Sequence, residues 1–128
     1  MYLKNNTMLK KYLVLLILSL ILIPSVMSQN TSTRIRHTVV FTLTHQKGSP
    51  EEADFILAIK KLASIPGVEK FEFMKQISKK NNYDYGLSME FADQKAYDAY
   101  NRHPDHMAFV NNRWLKEVKD FMEIDFAI

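Results

Sequence analysis

Tyr83-Asp84-Tyr85-Gly86-Leu87-Ser88-Met89-Glu90-Phe91 is the stretch whose reading decides the fold. Tyr83, Tyr85, Leu87, Met89 and Phe91 fall on one side of it, and Asp84, Gly86, Ser88 and Glu90 on the other. Successive side chains of a strand point to opposite faces, so this alternation predicts a strand with one oily face. The stretch before it, Val68 to Ile77, alternates in the same way, with Phe71 and Phe73 against Glu72 and Met74. Polar Ser78 to Asn82 joins the two, and two strands across a short polar loop form a hairpin.

Working outward, each side of the hairpin carries a helix. Ser49-Pro50-Glu51-Glu52 supplies a serine cap, a proline at the first helical position and a glutamate three residues after the cap. Phe55, Ile59 and Leu62, with Ile56 and Ala63 beside them, then recur at helical spacing, Lys60 and Lys61 lie on the solvent side, and Pro66-Gly67 ends the helix. After the hairpin, Asp93 caps a short helix with Ala96, Tyr97 and Tyr100 on one face. His103-Pro104 stops it, because the residue before a proline is pushed out of the α region. A second helical run follows, with Met107, Val110, Trp114 and Val118 at helical spacing and Leu115 adjacent.

Two further alternating stretches close the pattern. Ile35 to Thr44 puts Ile35, His37, Val39, Phe41 and Leu43 on one side, apolar except for the histidine. Asp120 to Ile128 sets Met122, Ile124 and Phe126 against Glu123 and Asp125. The order strand, helix, strand, strand, helix, strand is an α+β, ferredoxin-like βαββαβ pattern, an antiparallel sheet with helices on one face. The other face, bearing Arg36, Thr38, Val40, Asp84, Ser88 and Glu90, is left without a cover, and two such sheets back to back make a dimeric α/β barrel.

The first 28 residues read as a secretory signal peptide: Lys4, Lys10 and Lys11, then an apolar run from Tyr12 to Ile23, then Pro24 and a small-residue site before Gln29. The run of 12 residues is short of the roughly 20 that span a bilayer, so an uncleaved N-terminal anchor is the lesser reading. Export to the periplasm or beyond follows, with no membrane attachment after cleavage. Residues 29–34 read as a polar linker and 35–128 as the domain. The leader carries three lysines and no acid, so 17 basic residues become 14 against 14 acids and the net charge falls from +3 to 0. That balance leaves no basic stripe for nucleic acid. The chain has no cysteine, hence no disulfide to support a small exported domain.

The chemistry-bearing residues gather around the His-Pro break. His37 and Tyr85 come from the inward sides of two strands, Tyr100, His103 and His106 from the helical hairpin, and Leu87, Phe55 and Ile59 supply apolar lining. A few polar tips converging on an apolar wall are what a small-molecule pocket needs. Histidine takes and gives protons near neutral pH, and a tyrosine hydroxyl holds an oxyanion, which together suit proton transfer on a carbonyl compound without metal or cofactor. The alternative is structural: a strand histidine with a buried partner, core tyrosines with bonded tips, His103 as a helix-end device. His103 and His106, three apart, are weak as a metal pair because Pro104 distorts their spacing, so no metal is expected. Three glycines, none suitably spaced, exclude a phosphate-binding loop.

In this order and spacing, Ile35-Arg36-His37-Thr38-Val39-Val40-Phe41, the Tyr83–Phe91 stretch, Tyr100-Asn101-Arg102-His103-Pro104-Asp105-His106-Met107-Ala108-Phe109-Val110 and the closing Asp125-Phe126 resemble the stress-responsive dimeric α/β-barrel family over about residues 34–128. The resemblance implies a homodimer. By motif, the catalytic tyrosine and histidine of a plant polyketide cyclase of this family fall on Tyr100 and His106, and its strand-one histidine on His37. Another of its pocket histidines falls on Tyr85 and a first-helix tyrosine on Ala58, so the cavity here is lined differently. The resemblance therefore leaves two classes of function: a cyclase- or lyase-like acid–base enzyme for a small hydrophobic or aromatic carbonyl compound, and a non-catalytic stress-associated binding or assembly protein.

Overall fold

The computed structural model describes residues 32–128. The expected leader lies outside the described residues. The elements follow the order β1 (Ile35–Leu43), α1 (Pro50–Lys60), β2 (Glu69–Lys75), β3 (Tyr85–Phe91), α2 (Gln94–Asn101), α3 (Pro104–Phe109), α4 (Leu115–Glu117) and β4 (Val118–Ala127). A 3-10 stretch, Lys61–Ser64, extends α1, and a π-helical stretch, Val110–Trp114, joins α3 to α4. The sheet runs β2-β3-β1-β4 with every pairing antiparallel. The βαββαβ reading holds.

The helix starts are those their residues dictate. Ser49 accepts from the Glu52 N–H at the head of α1, and Asp93 accepts from Ala96 N–H at the head of α2. The core lies between sheet and helices. Val39, Phe41 and Leu43 from β1 and Tyr85, Leu87, Met89 and Phe91 from β3 meet Phe55, Ile59 and Leu62 from the first helix and Tyr97, Tyr100 and Phe109 from the later ones. Ala63, expected beside the apolar face, is exposed.

Three details differ from the sequence expectations. Residues 32–34, the end of the expected polar linker, bond to the domain: Ser32 donates to Ala92 O at 3.3 Å, and Arg34 pairs with Glu69 and Glu90 at 2.5 and 3.3 Å. The last helical run is not one α-helix. The Leu115 N–H reaches Val110 O, five residues back, and this wider turn rotates the run by an extra residue. Phe109 becomes the buried residue, while Met107 and Leu115, expected on the apolar face, are 49% and 68% exposed.

The third concerns β4. Its register sets Phe121, Glu123 and Asp125 opposite Phe41, Val39 and His37, and Met122, Ile124 and Phe126 opposite Val40, Thr38 and Arg36. Cross-strand partners share a face, so Glu123 and Asp125 lie on the helix side with Phe121, and Met122, Ile124 and Phe126 on the open side. The open face is accordingly oilier than its Arg36, Thr38 and Ser88 suggested. Glu90 on that face is buried, ringed by Arg36 at 2.6 Å, Lys70 at 2.9 Å and Arg34. These cations hold its carboxyl down at about 2, with Arg36 the largest contributor. Lys70 reaches it from an irregularity in β2, with a backbone φ of 47° in the left-handed region that a lysine rarely adopts.

Candidate functional site

A cavity of about 290 Å³ opens between the sheet and the later helices. β1 gives it His37 and Val39, β3 gives Leu87, and α1 with its extension gives Ile59 and Leu62. α2 adds Tyr100 and Asn101, α3 adds His106 and Phe109, the wide turn brings Val110 and Trp114, and β4 contributes Phe121 and Glu123.

The break at Pro104 builds the central pair. His103 ends up as the N-cap of α3, its ring nitrogen accepting from Asp105 N–H at 3.2 Å. The turn folds His106 back over the end of α2, where its Nδ1 lies 3.3 Å from Asn101 O. A carbonyl only accepts, so Nδ1 carries the proton and Nε2 carries the lone pair. Burial pulls the His106 imidazole below its ordinary value, which keeps it neutral with Nε2 unprotonated. Its ring lies 4.3 Å from that of Tyr100, centroid to centroid. Tyr100 is almost wholly buried and, among the described residues, its hydroxyl has no hydrogen-bond partner. Burial drives that phenol well above its usual range, so it stays protonated and able to donate.

Beside this pair, His37 Nδ1 stands 2.7 Å from Asp125 Oδ1, and the Tyr97 hydroxyl donates to Asp125 Oδ2 at 2.9 Å. The carboxylate accepts both, fixing the proton of His37 on Nδ1 and turning the ring's other nitrogen free. Burial, and then Asp125, raise the Tyr97 phenol as well. His37, Glu123 and Asp125 offer three donor atoms within 4.8 Å of one another, the one such group among the described residues. The 2.7 Å contact between His37 and Asp125 is a direct hydrogen bond, the arrangement of a proton-bearing pair.

Of the residues singled out in the sequence, His37, Leu87, Ile59, Tyr100 and His106 share this cavity, and three do not. Tyr85 is buried with its hydroxyl donated to Glu52, the capping-box residue, which also accepts from Gly48 N–H. Phe55 is fully buried behind the wall, 5.5 Å from Phe109 and 6.1 Å from Phe41 between ring centroids. His103 is spent on the cap. The sequence reading missed Tyr97, Glu123 and Asp125 as groups at or beside the site. One signal was available: an inward-facing strand histidine needs a partner, and β4 offers two acids on one side.

The stress responsive A/B barrel domain (Dabb) family matches residues 35–128. The chain belongs to that family. A Dabb family protein of ferredoxin-like fold from Mesorhizobium loti is 55% identical, over 76% of this chain and 98% of its own, with a TM-score of 0.73. A dimeric ferredoxin-like protein of unknown function from Thermobifida fusca is 26% identical, over 76% of this chain and 92% of its own, with a TM-score of 0.63. A hydroxynitrile lyase from Passiflora edulis shares the fold, at 12% identity over 75% and 94% of the two chains and a TM-score of 0.67. Among curated proteins none matches the sequence.

Proposed function

We propose that this Dabb protein is an exported homodimer whose cavity takes a small hydrophobic or aromatic carbonyl compound and moves a proton on it, with Tyr100 and His106 as the acid–base pair. The carrying observation is that pair. One environment holds a phenol protonated and a histidine neutral, side by side on an apolar wall, and groups pushed to opposite protonation behaviour are how acid and base roles are assigned. A carbonyl oxygen bonded by the Tyr100 hydroxyl gains charge as His106 Nε2 removes the proton from the adjacent carbon. The electron pair of that C–H bond moves to the oxygen, and the enolate is held by the Tyr100 hydrogen bond. The cavity, about 290 Å³ against the ~300–1,000 Å³ of ordinary ligand pockets, suits a small compound.

The dimer is supported by the open sheet face, with Met74, Met122, Ile124 and Phe126 all between 38% and 48% exposed, and by the dimeric relative from Thermobifida fusca. Export rests on the leader read in residues 1–28. A second reading draws on the satisfied bonding of three of the four histidines, His37 on Asp125, His45 on Glu117 and His103 in its cap: a binding or assembly protein without turnover.

Enolisation tests the two readings without a known substrate. Phenylacetone in D2O is followed by proton NMR for exchange of its α-hydrogens. Acceleration by wild type, lost in His106→Gln and in Tyr100→Phe, supports the enzyme. Binding without acceleration supports the second reading, and neither binding nor acceleration removes the cavity as a site for carbonyl compounds.

A further inference from the structure

Glu123 stands on β4 opposite Val39, on the helix side of the sheet and in the cavity wall. Among the described residues lining the cavity it is the one acid, and no lysine or arginine lines it. Two polar neighbours of Glu123 are already engaged. The Tyr97 hydroxyl is 3.5 Å away and donates to Asp125 at 2.9 Å, and His37 Nδ1 is 3.9 Å away and bonds Asp125 at 2.7 Å. The Glu123 side chain is 48% exposed, which places it at the mouth rather than the floor.

A carboxylate accepts hydrogen bonds and donates none. Set on a wall otherwise made by Val39, Ile59, Leu87 and Phe109, it rewards a ligand that brings a donor and repels one that brings a second anion. We infer that Glu123 is the specificity-determining residue of the cavity, selecting small apolar compounds that carry an amine or hydroxyl at the β4 end and excluding carboxylates. This rests on the cavity being the ligand site proposed above, and ranks its ligands, favouring neutral or cationic compounds with a donor group over anions.

Three probes of like size test it: 2-phenylethylamine, 2-phenylethanol and phenylacetate, each titrated by ligand-observed NMR and calorimetry into the full domain at low and high salt. For wild type, the amine binds at least tenfold more tightly than phenylacetate, with the alcohol between. Salt narrows the gap, because the mouth is open to screening ions. In Glu123→Gln, a near-isosteric change at a half-exposed position, the spread falls below threefold while the alcohol still binds, which shows that the variant is folded and its cavity intact. Phenylacetate binding as tightly as the amine, or an unchanged spread in Glu123→Gln, overturns the role of Glu123 and leaves the cavity reading standing. Failure of all three probes to bind wild type overturns both.

Discussion

The Tyr100 and His106 rings lie 4.3 Å apart and tilted by 36°, brought together only because Pro104 interrupts the helix between them. A continuous helix would set residues six apart about 120° from each other around the axis and about 9 Å apart along it. The break returns the second ring over the first, and the fold spends no hydrogen bond of the Tyr100 hydroxyl on itself. Tyr100→Phe is therefore expected to leave the melting temperature within a degree or two, since it unpairs nothing. It should lower phenylacetone exchange by about 10²-fold or more, the scale of a lost acid–base group. Thermal melting and NMR exchange on the same sample check both halves.

His106 gives a pH signature of stability. Burial depresses its pKa below the ordinary 6.5. As pH falls below that value the unfolded chain takes up a proton that folded His106 does not, so the folded state loses stability until pH passes the folded pKa. Above 6.5 the group contributes no slope. Urea midpoints of wild type should thus fall between pH 7 and 5 more steeply than those of His106→Gln, and parallel curves would contradict the buried, neutral imidazole.

Tyr85 separates packing from function. Its hydroxyl donates to the Glu52 carboxylate in a buried contact between β3 and α1. Tyr85→Phe should destabilise by about 1.5–3 kcal/mol, the range for a hydrogen bond to a charged group, and leave ligand binding in the cavity unchanged. Urea denaturation gives the first number and a probe titration the second. Altered binding with unchanged stability would return Tyr85 to the pocket.

Tyr85 also shows where the sequence could and could not be read. Its inward side was legible from period-two alternation, but alternation says nothing of how far along the sheet a tip ends, and Tyr85 ends beside the head of α1. The capping box was read at Ser49 and Glu52, yet the second use of Glu52 as a buried acceptor needs a tertiary neighbour. Glu123 and Asp125 were seen as the polar side of β4. Alternation alone does not say which side of β4 meets the helices, and the open face receives Met122, Ile124 and Phe126. Register between β1 and β4 decides this, and it depends on a pairing eighty-eight residues apart for His37 and Asp125. The wide turn at Val110–Trp114 was hidden for the same reason: helical spacing assumes 3.6 residues per turn throughout.

Glu90 offers an acid test on the opposite face. Its carboxyl is held down at about 2 against an ordinary 4.5, so its contribution is complete above 4.5 and is lost as pH falls through about 2. Glu90→Gln leaves Arg36, Lys70 and Arg34 crowded without their shared anion. The variant should be less stable than wild type at pH 7, with the difference closing as pH approaches 2. Urea midpoints from pH 7 to 2 measure this, and a constant difference would mean that Glu90 acts by packing rather than charge.

The open sheet face makes the last prediction. Met74, Gly86, Val40 and Met122 lie in one row across all four strands, and Glu72, Ser88, Thr38 and Ile124 in the next. Gly86 leaves room for the Met74 side chain, whose Cε lies 3.4 Å from where a Cβ would stand. The centre of this surface is thus low and apolar, bounded by the Glu90 cluster at one end, the form of a face that packs against another sheet. Ile124→Lys places a charge in its second row without touching the cavity, because Ile124 faces away from the helices. Light scattering should give the mass of one chain for the variant and of two for wild type at micromolar concentration, with probe binding retained by any monomer that stays folded. A wild type that scatters as one chain would leave the four exposed apolar side chains without the partner argued for them.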